Sequence, residues 1–235
     1  MIRLSAFLFL FLCSTAASSF AGSPWPDVSS DLPPDPSLTE GVLPNGVRYL
    51  IRPNAEPRDR VTLRLVVAVG SIHERDEERG MAHFVEHMIF RGTRSHPGDS
   101  LVTALQRLGI GFGPDNTAFT DYRHTIYHLE LPDTAEATLR QGLSSFREYA
   151  SEATFDARLI ERERGVILSE KATRDTAAYR SSEASVAALW PDSRHVRRPV
   201  IGTDETLRAF TRDQLVAFYD AWYRPDRMAI IVVGH

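Results

Sequence analysis

The sequence holds a single cysteine, Cys13, inside the apolar stretch at the very N-terminus. A mature chain without it has no disulfide and no thiolate ligand, so any metal must sit on histidine and carboxylate side chains. Long apolar runs are missing too: Leu4 to Leu12 is well short of the roughly 20 residues that a membrane-spanning helix needs. There is no basic stripe. The 27 Lys and Arg and 31 Asp and Glu are mixed along the chain, for a net charge of -4, which excludes the electrostatic footprint of a nucleic-acid binder.

What is present begins with Met1-Ile2-Arg3, the apolar stretch, and small residues from Ser14 to Ala21. This is the layout of a secretory signal peptide over residues 1–21, cut near Ala17 or Ala21, and it implies an exported protein, periplasmic or secreted, with no stable membrane span. Residues 22–40, with Pro33-Pro34 and Pro36 and no apolar period, read as a linker. The remainder is long enough, and at 43% hydrophobic residues apolar enough, to build a real core.

Leu43-Pro44-Asn45-Gly46 reads as a turn into a strand over Val47 to Arg52, and the β-branched run Val61 to Val69 as a second, central strand. Helical spacing covers Glu77 to Arg91, ending at Gly92, and a further helix is expected over Asp99 to Leu108. His124 to Leu131 alternates like a strand, two long helices follow near Asp133 to Ser151 and Asp156 to Thr173, and Thr211-Arg212-Asp213-Gln214 opens a helix to about Tyr223. Met228 to Val233 is one more apolar strand. Its closeness to His235 implies that the sequence ends inside a larger protein.

Within the first helix, His83 and His87 are four residues apart and share a face, one turn above the other, at a spacing that lets both imidazoles reach one ion. Glu86 lies near that ion without having to be a ligand, which suits a carboxylate that takes a proton from water. H-x-x-E-H arises by chance on the order of once in fifty such sequences, but Phe84, Val85, Met88 and Ile89 place the motif on a buried helix. Two His with a carboxylate as the third ligand suit zinc, with water in an open fourth position.

The helix after Asp156 offers that carboxylate on an inward stripe of Leu159, Glu163, Val166, Ile167 and Glu170. A carboxylate among apolar residues needs a partner. Periodicity does not choose between Glu163 and Glu170, nor exclude that both pair with arginines on a solvated face. His124 and His128, also four apart, lie in a strand where that spacing spans roughly 13 Å and cannot chelate one ion. His73, His96, His195 and His235 read as loop or surface residues.

Gly80-Met81-Ala82-His83-Phe84-Val85-Glu86-His87-Met88-Ile89-Phe90-Arg91-Gly92-Thr93 resembles the signature of the pitrilysin/insulinase family of zinc peptidases, the inverzincins. Leu43-Pro44-Asn45-Gly46, Glu163-Arg164 leading to Glu170, Arg198-Pro199 with Ile201-Gly202-Thr203, and Phe218-Tyr219 through Trp222-Tyr223-Arg224-Pro225 resemble it as well. Together they cover the chain from about Gly41 to its end.

The resemblance implies an α+β fold, a layered sheet with helices packed on it, and a zinc endopeptidase acting on peptides. His83, His87 and Glu170 would hold one Zn2+ per chain, Glu86 would be the general base, and Glu163 would orient the first histidine from outside the ligand set. It also implies a substrate-binding edge strand at Asn116-Thr117-Ala118-Phe119-Thr120, where Asn116, Ala118 and Phe119 would meet substrate backbone although the Asn is displaced by one position. Residues 41–195 would be the zinc-binding domain and 196–235 the incomplete start of a following C-terminal peptidase region, with that region or a partner subunit completing the enzyme. The other function the resemblance leaves open is a non-catalytic or partner-dependent subunit of a peptidase complex.

Overall fold

The computed structural model describes Trp25 and residues 35–234. The stretch expected to be a signal peptide, most of the expected linker and His235 lie outside the described residues. Among the described residues no helix is long and apolar enough to cross a membrane.

Two short strands, β1 (Thr39–Val42) and β2 (Arg48–Pro53), form an antiparallel hairpin. Its turn is closed by Leu43 N donating to Val47 O at 2.8 Å and Gly46 N to Leu43 O at 2.8 Å. The expected linker is therefore too long by two residues: Thr39 and Glu40 are strand, paired with Ile51 and Leu50. β3 (Val61–Val67) turns Leu63, Leu65 and Val67 to the core in the alternation a half-buried strand requires. After β4 (Asn116–Thr120) and β5 (Thr125–Leu131), a last strand β6 (Met228–Gly234) completes a six-stranded sheet in the order β1-β2-β6-β3-β5-β4.

β6 lies between β2 and β3, parallel to the first and antiparallel to the second. Residues 196–235, expected to open a following region, thus supply a central strand of the same sheet, because the pairing of β6 with β3 closes the core. The α+β layering is as expected. Helices α1 (Met81–Ile89) and α3 (Glu136–Ser151) pack on the sheet, and α4 (Ala157–Arg174) packs against α1. Helix α2 (Ser100–Arg107) matches its expected span to within a residue at each end.

α1 is buried on nearly every side, all of it except His87, so that His83 and Glu86 are buried along with its apolar residues. Its start is set by a close approach of two backbones: Gly80 has φ +91, and a Cβ there would meet Gly202 Cα at 2.7 Å. Three further helices follow α4: α5 (Ala177–Leu189), α6 (Asp204–Ala209) and α7 (Arg212–Trp222). The sequence reading contains α7, but neither α5 nor α6.

Candidate metal centre

α4 is capped by Asp156, whose Oδ1 accepts from Arg158 N at 2.8 Å and Leu159 N at 3.3 Å. From that start it buries Ile160, Glu163 and Ile167 and half-buries Glu170. The inward stripe is narrower than expected and rotated: Val166 is 42% exposed, and Ile160 takes the core position. The cause is that α4 touches the domain mainly through α1 and α6, so only one row of side chains is covered.

α1 and α4 meet in opposed directions, so that Glu163 faces the C-terminal end of α1 and Glu170 its middle. Glu170 Oε2 lies 3.4 Å from His87 Nε2, and Glu170 Oε1 lies 3.7 Å from His83 Nε2. The three side chains offer donor atoms within 4.8 Å of one another, the one such group found among the described residues. Donors about 2.0–2.1 Å from a tetrahedral ion sit about 3.3 Å apart, so the two Glu170–His distances are near the spacing that zinc requires. Arg174, one turn along α4, forms an ion pair with Glu170.

Electrostatics inside the cluster point the same way. Burial and the neighbouring His87 push His83 down to about 4. Burial opposes charge on His87 as well, but hydrogen bonds to Glu163 and Glu170 outweigh it and push His87 up to about 9. The two rings lie 4.7 Å apart at their centroids, and the place of His87 between Glu163 and Glu170 favours positive charge there.

Glu163 is fully buried and engages His87, its Oε2 lying 3.2 Å from His87 Nδ1, while its Oε1 pairs with Arg91 Nε at 2.7 Å. This corrects the expectation that Glu163 orients the first histidine: His83 lies one turn farther from it, and among the described residues His83 Nδ1 has no hydrogen-bond partner. With Glu163 on Nδ1 of His87, the ring turns its Nε2 toward Glu170.

Glu86 is buried and lies outside the three-donor group; its Oε2 accepts from Thr120 Oγ1 at 2.7 Å. Burial raises its pKa and the Thr120 hydroxyl lowers it. At the head of α1, Glu74 is buried and accepts from Gly80 N and Ala82 N, each at 2.9 Å, so that a carboxyl remote from the helix satisfies two of its free amides. Neither contact has a signal in sequence spacing.

β4 is an edge strand next to β5, as a substrate-binding strand needs. Asn116, expected to touch substrate, is 1% exposed with its amide turned inward beside the Tyr149 hydroxyl, and its backbone is taken up by Gly111 and Gly113. The inward alternation of β4 is the physical reason. Phe119 is 49% exposed and Ala118 half-buried. Of the other histidines, His96 meets buried Glu148 at 2.8 Å, His73 lies against Trp222, and His195 lies against Tyr122. None joins a metal-binding group.

Two imidazoles and a carboxylate thus converge on one point, with a second carboxylate beside them. The chain belongs to the insulinase family of peptidases, family M16, whose pattern matches residues 49–204. Residues 209–235 match a second pattern, described as the M16 inactive domain. The chain is 41% identical over 207 residues to the probable zinc protease PqqL of Escherichia coli, covering 88% of this chain and 22% of that protein. It is 33% identical over 210 residues to the chloroplastic stromal processing peptidase of Pisum sativum, covering 88% of this chain and 16% of that one. The crystal structure of the periplasmic protease PqqL from Escherichia coli superposes with a TM-score of 0.84 at 41% identity, over 86% of this chain and 22% of that chain. The chain thus spans less than a quarter of these relatives.

Proposed function

We propose that this domain binds one zinc ion through His83, His87 and Glu170 and hydrolyses peptide bonds, with Glu86 as the general base. The grouping of the three donors within 4.8 Å, beside a buried carboxylate on the same helix, carries the reading. Bound there, zinc would supply Lewis acidity, polarising a carbonyl and acidifying a water. Glu86 takes the proton of the attacking water and passes it to the leaving amine, so no covalent intermediate forms. Glu163 holds the ring of His87, and the half-buried site limits competing water.

The substrates are peptides or unfolded protein segments, laid against the free edge of β4 at Ala118 and Phe119. A further peptidase region or a partner subunit helps to hold them; the much greater length of the relatives supports this. Residues 1–21 act as an export signal, in keeping with the periplasmic location stated for the Escherichia coli relative. The test is removal and return of metal on the intact protein. Chelation should abolish cleavage of an unstructured peptide and zinc should restore it; cleavage that survives full removal of metal would overturn the proposal.

A further inference from the structure

We infer that Thr120 is the positioning residue of Glu86, its hydroxyl presented to the carboxylate from the edge of the sheet that α1 covers. The inference rests on the proposed role of Glu86. Thr120 is the last residue of β4, and the outward turn of Phe119 leaves Ala118 and Thr120 on the face that α1 covers. Its Oγ1 lies 2.7 Å from Glu86 Oε2, and a carboxylate can only accept, so the single hydroxyl proton of Thr120 goes to Glu86.

Behind Thr120, in register across β4 and β5, stands fully buried Thr125, with the two hydroxyl oxygens 3.3 Å apart. Thr125 Oγ1 donates to Val69 O at 3.0 Å. The Tyr223 hydroxyl lies 2.6 Å from that of Tyr127, and both tyrosines are buried in the core on this side of the sheet. Thr120 is anchored by the pairing of β4 with β5, packs against buried Thr125, and as a β-branched residue is stiff at χ1. The donor therefore comes from the rigid sheet, not from α1 itself. It fixes Oε2 and leaves Oε1 of Glu86 to receive the proton. Glu86 is thereby aimed by a residue that need not touch the metal or the reacting atoms.

The test compares Thr120→Val, Thr120→Ser and Glu86→Gln in the intact, zinc-loaded protein. Thr120→Val keeps the side-chain shape and deletes the donor. It should lower kcat about ten- to a hundredfold while leaving KM and zinc content within about twofold, and Thr120→Ser should restore most of the rate. Thr120→Val at parental kcat would overturn the inference. So would a Thr120→Ser as slow as Thr120→Val, or a rate loss matched by lost zinc, lost folding or raised KM, because each assigns Thr120 a merely structural or substrate-binding role. If Glu86→Gln itself retains turnover, the general-base reading falls; if it is inactive while Thr120→Val is not, only the positioning inference falls.

Discussion

Glu163 Oε2 lies 3.2 Å from Nδ1 of His87, and its other oxygen pairs with Arg91. The second imidazole of the motif is therefore the one whose ring and tautomer are held from behind. Replacing Glu163 with Gln weakens both contacts and leaves Arg91 with a neutral partner. Zinc affinity should fall about ten- to a hundredfold, with residual cleavage at saturating zinc. Competition with a chromophoric chelator measures it, and an unchanged affinity would remove Glu163 from any role behind His87.

The reach of the sequence differs from part to part. That His83, Glu86 and His87 lie together is legible because helical spacing alone puts them on adjoining turns of one helix, and Asp156 caps α4 where the sequence places its start. Periodicity also puts Glu163 and Glu170 on one face of α4. Which carboxylate meets which imidazole depends on the opposed packing of α1 and α4, a tertiary fact; the family resemblance names Glu170 but pairs Glu163 with the wrong histidine. α5 leaves no periodic trace because none of its residues is buried. The insertion of β6 between β2 and β3 pairs residues far apart in sequence, and the contact of Thr120 with Glu86 crosses elements in the same way.

Glu74 gives the domain a pH dependence of known sign. Burial pushes its carboxyl from 4.5 up to about 8, against the pull of the Ala82 and Gly80 amides. Between these two values the folded protein keeps a proton that the unfolded chain has released. The stability tied to Glu74 is thus present below about pH 4.5 and is lost as pH rises to about 8. Urea midpoints at several pH values should show the parent's advantage over Glu74→Gln shrinking across this window. A difference that stays constant with pH would contradict this account.

Gly80→Ala should be costly out of proportion to one methyl group. At φ +91 a side chain is strained, and its Cβ would press on Gly202 Cα at 2.7 Å, which is backbone and cannot swing aside. The left-handed conformation alone costs about 1–2 kcal/mol, so a loss of at least about 2 kcal/mol is expected. A thermal melt reads it, and an unchanged Tm would show that the two backbones can part freely.

The central claim is that His83, His87 and Glu170 hold the metal while Glu86 moves the proton, and the most direct measurement is zinc content and peptide turnover of Glu86→Gln beside the parent protein. The account predicts about one zinc per chain in both and turnover lost only in the variant, by about a hundredfold or more. Parental turnover in Glu86→Gln, or zinc lost together with activity, would contradict it.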